Sequence, residues 1–203
     1  MSKSEIIDTI VRYEWEDFSR VHNAGGIADC QKRPDTFTLM RRALLSTWNE
    51  ELLGSYLEDV ANARAAGRSL MSEKYAWMME STDKQQFAEV AAMLPMLPYE
   101  SCERIEHIVK FFLIWQAQAN VLYPRLTSDG RPLVSEDNRP SVTSFETYLR
   151  GELKVYSPRT VEIYERYVME CWRAGVNLSV ENLNNIARSY GYRDAADAEA
   201  RSS

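Results

Sequence analysis

Residues 99–121, YESCERIEHIVKFFLIWQAQANV, decide the fold. Pro95 and Pro98 break the chain just before them, and no proline or glycine interrupts them. The centre of this run, Phe111-Phe112-Leu113-Ile114-Trp115, is apolar on every side of a helical wheel. A helix of that kind belongs inside a protein, so it is expected to be the central buried element against which the others pack.

Working outward, helical periodicity continues on both sides. Ser2 and Glu5 make a capping box that opens a helix to about His22. The loop 23–35, NAGGIADCQKRPD, holds two adjacent glycines. A helix is expected over 37–48, and Asn49 caps another that Gly67 stops. Ser72 and Asp83 are expected to open two shorter ones before the prolines. The stretch 123–140, YPRLTSDGRPLVSEDNRP, is the one long irregular segment, and loops of that length are often functional. Beyond it, SFETYLRGEL (144–153) is helical, and Ser157-Pro158 starts a helix that Gly175 ends. Ser179 is expected to cap a last helix ending at Gly191. No segment has a strand's period of two. The expected fold is all-α: a single domain over 1–195 with about eight to ten helices around 99–121, and a polar, frayed tail at 196–203.

Composition removes several function classes. The 203 residues carry a net charge of −6 with no long basic block, which argues against nucleic acid as a partner. No stretch approaches the ~20 apolar residues of a membrane span. Cys30, Cys102 and Cys171 are odd in number and widely spaced, forming neither a disulfide framework nor a metal motif. A cytoplasmic protein with reduced thiols is expected.

Two glutamates break the apolar pattern. At about 100° per residue, Phe145, Leu149 and Leu153 form a greasy stripe, and Tyr148 and Glu152 fall on the same side. In the first helix, Glu14 sits among Ile7, Ile10, Val11 and Phe18. A buried carboxylate pairs with a cation or stays protonated. If burial dominates, its pKa rises toward the range of a general acid or base. Arg41 is the named cation for the alternative, a structural ion pair. A carboxylate-only metal site is a further alternative. His22 and His107 are too few for two Glu-x-x-His motifs, and no metal ligand set is expected.

Other candidates are weaker. Cys30 follows the glycine pair with His22 nearby, but no signature joins them into a catalytic thiol. In EKYAWMMEST, Glu73, Trp77 and Glu80 share one face while Tyr75, Met78 and Met79 share the other; Glu73 and Lys74 are candidate pocket lining. The pairs Glu146–Arg150 and Glu106–Lys110 read as surface ion pairs.

The motifs NAGGIADCQ, WNEELLGSYLEDVANARAAGRSL, EKYAWMMEST, YPRL and SFETYLRGELKVYS resemble a bacterial family described as a domain of unknown function, over about residues 10 to 195. The resemblance implies a small helical cytoplasmic protein, and a nucleotidyltransferase-like domain accompanies or is fused to some members. It places motif positions at Glu14, Asn23, Gly25, Gly26, Cys30, Gln31, Glu73, Lys74, Tyr75, Glu80, Tyr148, Arg150, Gly151, Glu152, Tyr156 and Ser157. It implies no activity.

The expected function is a cofactor-free small-molecule enzyme, in the setting of specialised-metabolite biosynthesis. Glu152 is the first choice for general acid or base, Glu14 the second, and Tyr148 orients the proton. Arg150, Lys74, Glu73, Tyr75, Arg41, Asn23 and Cys30 are the candidate substrate-binding residues. Hydrolysis, elimination and isomerisation all fit. The alternative is a non-catalytic helical module that docks on a protein partner of the nucleotidyltransferase type. On the enzymatic reading, Glu152→Gln leaves the fold nearly intact and abolishes activity.

Overall fold

Ser2, Asn49, Ser69, Asp83, Ser144, Ser157, Asn177 and Asp194 each turn a side-chain oxygen onto the backbone N–H three residues on. These bonds satisfy donors that a helix start leaves unpaired, and they set the helix boundaries. The computed structural model describes residues 1–21, 29–139 and 142–202, without the side chains of Asp29 and Cys30. The first helices are α1 (Lys3–Phe18), α2 (Pro34–Ser46), α3 (Glu50–Ala65), α4 (Leu70–Thr82), α5 (Lys84–Val90) and α6 (Tyr99–Leu122). They are followed by α7 (Pro124–Thr127), α8 (Phe145–Leu153), α9 (Pro158–Arg173), α10 (Leu178–Ser189) and α11 (Ala195–Arg201). Among the described residues there is no strand, only an isolated bridge between Arg139 and Val142. The chain is an all-α domain.

Local signals shift a few boundaries. Ser69, not Ser72, caps α4, so Leu70 and Met71 join its buried face. Asn177, not Ser179, caps α10. The tail expected to fray instead forms α11: Ala195 and Ala198 are buried, and Glu199 accepts the backbone N–H groups of Arg125 and Leu126 at 3.0 Å each. Two small alanines and one capping carboxylate are enough to dock a helix whose sequence is mostly polar.

Packing runs in a closed circuit. In the order α6, α9, α3, α1, α4, α8, each helix touches the next, and α8 returns to α6. Helix α2 bridges α1 and α10, and α10 leans on α6. The core runs through Ile10, Leu45, Trp48, Leu52, Leu53, Ile105, Ile108 and Val161. Helix α6 takes the central place expected of it, burying Ile105, Ile108, Val109, Phe112, Trp115 and Ala119. Its other side is less enclosed: Ile114 is 37% and Val121 81% exposed. Phe111 there packs on Trp172 of α9, with ring centroids 4.9 Å apart.

Helices α4 and α8 approach unusually closely at Gly151. A Cβ built there would lie 2.7 Å from Met78 Cγ and 3.1 Å from the Lys74 carbonyl oxygen. The methionine can yield, but the helix carbonyl cannot. Gly151→Ala is therefore expected to destabilise the fold by about 1–3 kcal/mol. A free helix position would instead gain about 1 kcal/mol from the same change. Urea unfolding distinguishes the two, and a net gain in stability would show that the helices are not in contact there.

Candidate functional site

The circuit of helices, together with α2, turns five polar groups toward one point. Glu14 comes from α1, Arg41 from α2, Tyr56 from α3, Lys74 from α4 and Glu152 from α8; Tyr156, just past α8, joins them. Arg41 grips Glu14 with a fork, donating Nε to Oε2 at 2.8 Å and Nη2 to Oε1 at 2.6 Å. Its remaining nitrogen, Nη1, donates to Glu152 Oε1 at 2.8 Å. Lys74 Nζ donates to Glu152 Oε2 at 2.6 Å. The hydroxyls of Tyr56 and Tyr156 donate to Glu14 Oε1 at 2.7 Å and to Glu152 Oε1 at 3.0 Å. All four charged residues are buried, Glu14 and Lys74 at 2% exposure. Two carboxylates facing two cations leave no net charge, which is how a group this deep tolerates ionisation.

This arrangement reverses one expectation and settles another. Burial alone would raise the pKa of Glu152, but the charges of Arg41 and Lys74 outweigh it and hold the carboxyl well below the usual range. Burial likewise works against the charge on Lys74, and Glu152 overrides it, raising the pKa. The tuning toward neutral pH expected of a buried Glu152 is therefore absent, because each of its two oxygens meets a cation. Arg41 is the partner of Glu14, as anticipated, and of Glu152 as well. Tyr148 is not the tyrosine that bonds Glu152; Tyr156 is. The Tyr148 ring instead lies under Lys74 Nζ at 3.5 Å and Arg131 Cζ at 4.6 Å from its centroid, two cation–π contacts.

A cavity of about 340 Å³ opens beside this network. Arg41 and Tyr148 belong to its wall, while Glu14, Glu152 and Lys74 do not. Another part of the wall is aromatic. Phe18 stacks on Phe37 with centroids 5.1 Å apart and on Tyr75 at 6.2 Å. Arg33 and Arg131 also line it. Among the described residues neither has a carboxylate partner; Arg131 donates Nη1 to the Thr143 carbonyl at 2.9 Å. The segment carrying Arg131 is tied to the start of α8, where Phe145 N–H donates to the Pro132 carbonyl at 2.7 Å and Glu146 N–H to that of Leu133 at 3.1 Å. Ser144, fully buried, accepts from Thr147 and donates its own N–H to Asn138 Oδ1. The segment from Arg131 to Asn138 is thus fastened to the start of α8 by hydrogen bonds.

Other sequence candidates lie elsewhere. Arg150 points away from the network and forks onto Glu106 at 2.7 and 2.9 Å while also holding Glu146, so Glu106 pairs with Arg150 rather than Lys110. Glu73 forks with Arg68, and Glu80 pairs with Lys154. Tyr75 lines the cavity. Asn23 and the side chain of Cys30 lie outside the described residues, as do His22, Gly25 and Gly26. Sequence reasoning missed Arg33 and Arg131. The signal was their position in the two loops, at 23–35 and 123–140, which the pattern itself singled out.

A family model described as Protein of unknown function (DUF4125) matches residues 4–200. The chain belongs to that family. No curated protein and no solved structure matches it. The DUF4125 match covers both ends of the network, from Glu14 to Tyr156, and all of the cavity wall. Among the described residues no group of three or more His, Cys, Asp or Glu side chains is placed to share a metal ion. No helix there is long and apolar enough to cross a membrane.

Proposed function

We propose that this protein binds a small anionic organic molecule with a flat apolar part in the cavity beside the buried ion network. The observation that carries the reading is charge. Arg41 and Lys74 are cancelled by Glu14 and Glu152, but Arg33 and Arg131 bring to the cavity beside that network two cations without carboxylate partners among the described residues. Guanidinium groups beside an aromatic wall suit a carboxylate or phosphate attached to a ring, since the fork takes two anion oxygens while the ring stacks. The volume falls within the usual range for organic ligands.

On this reading the network is the rigid back of the site, and it keeps Arg41 and Tyr148 in place. The small-molecule ligand of the acid/base expectation is retained, but its anionic group is assigned to Arg33, Arg41 and Arg131 rather than to Arg150 and Lys74. A carboxylate kept ionised by two cations has no proton to give near neutral pH, and its low basicity makes it a poor acceptor.

Phenyl phosphate and benzoate are suitable probes, followed by isothermal titration and by the emission of Trp15, which packs 5.3 Å from Phe37. Each of Arg33→Ala and Arg131→Ala is expected to weaken phenyl phosphate about tenfold or more, the loss of one charge-assisted contact. Benzamide, the uncharged counterpart of benzoate, is expected to bind more weakly than benzoate. Equal affinity for benzoate and benzamide, with no effect of either substitution, would remove the proposal.

A further inference from the structure

A second cavity, of about 400 Å³, adjoins the first between α6, α7, α10 and the start of α8. Its lining is largely apolar, with Leu126, Phe145, Leu183 and Ile186 prominent, and Arg131 is its one charged member among the described residues. Met40 and Arg131 line both cavities. These two side chains are the wall that the two spaces have in common. Met40 is 45% exposed and free to change rotamer. Arg131 has its guanidinium on the Tyr148 ring and its Nη1 on the Thr143 carbonyl.

We infer that the two cavities are the head and tail subsites of one elongated site, whose ligand is an amphipathic organic acid. Its anionic group sits among Arg33, Arg41 and Arg131, and an unbranched apolar chain runs past Met40 into the space between α6 and α10. This deepens the binding reading above and rests on it. Three features favour a chain over a second ring or a second charge. Among the described residues the tail cavity offers no cation beyond the one at its junction. Of its amides, Gln116 Nε2 donates to Asn120 Oδ1 at 2.9 Å, and Asn182 Oδ1 is a buried acceptor without a partner among the described residues, so beyond Arg131 the lining carries no positive or negative group to hold a second charge. On the Met40 side of the junction a narrow methylene chain needs only a change of that side chain's rotamer, not the movement of a helix.

The experiment is a length series of straight-chain carboxylates (butyrate, hexanoate, octanoate and decanoate) titrated into the full chain, with benzoate measured in parallel. Affinity is expected to rise roughly three- to fourfold per added methylene once the chain passes the junction. Leu183→Trp, which fills the tail space, is expected to flatten that series and leave benzoate unchanged. If benzoate binds and depends on Arg131 but decanoate binds no tighter than butyrate, the elongated site is wrong and the anion site stands. A length dependence that persists undiminished in folded Leu183→Trp puts the chain elsewhere on the surface and also overturns the inference. If neither benzoate nor any carboxylate binds, both readings fall together. The wild-type series alone decides the matter if the tryptophan variant does not fold.

Discussion

Arg41→Met is expected to be the most damaging single change in the protein, costing about 3–5 kcal/mol of folding stability. Arg41 makes three of the bonds that hold the two glutamates, and it is the sole cation on Glu14 among the described residues. Without it, Glu14 keeps only the Tyr56 hydroxyl among the described residues, a carboxylate in a dry environment with no cation beside it. Glu152 loses less, because Lys74 and Tyr156 remain. The double variant Arg41→Met, Glu14→Met should therefore be more stable than Arg41→Met alone, since removing the orphaned carboxylate removes most of the penalty. Urea unfolding followed by tryptophan emission measures both. A cost under about 1 kcal/mol for the single variant would mean that water reaches Glu14 and that the network is not the centre of the core.

The second large effect is expected at Glu152. Replacing it by glutamine leaves Lys74, 2% exposed, with no anion beside it. The expected cost is about 3 kcal/mol, which departs from the nearly intact fold expected of a purely catalytic glutamate. Its pH dependence identifies the cause. The folded pKa of Glu152 lies below the ordinary value of ~4.3. Its stabilisation is complete above that value, and it is lost as pH falls, because the unfolded chain takes up a proton that the folded chain refuses. Between pH 6 and pH 3 the wild type should lose stability more steeply than Glu152→Gln, by at most about 1.4 kcal/mol per pH unit from this group. On the alkaline side the order reverses. An unpaired buried lysine has a lowered pKa, so the variant should gain stability between pH 7 and 9 as Lys74 gives up its proton. The wild type, with its Lys74 pKa raised, should not. Parallel profiles for the two proteins across both windows would show that Glu152 and Lys74 do not share a buried pair.

Much of this architecture is local in origin. Ser2, Asn49 and Ser157 are caps whose partners lie three residues away, so the start of α1, α3 and α9 follows from short range alone. The inward phase of Glu14 and Glu152 is equally local, because it depends only on neighbours one turn away on the same helix. Arg41 as a partner was legible for the same reason. Lys74 was harder to see. It shares its buried face with Met71 and Met78, and a lysine between methionines ordinarily turns to solvent. It stays inside because α8 approaches closely at Gly151 and brings Glu152 to it.

The caps, the helical periods and the presence of two acids on apolar faces were thus written in short stretches of chain, where each residue answers to neighbours within a turn. The ionisation state of those acids was not, nor was the cavity with its two arginines. Arg41 reaches Glu14 across 27 positions and Glu152 across 111, and Lys74 reaches Glu152 across 78. Arg33 and Arg131 come from loops nearly a hundred residues apart, and they converge on one space only after α1, α2, α4 and α8 have packed. A carboxylate's charge depends on what surrounds it in space, and no helical wheel contains that information.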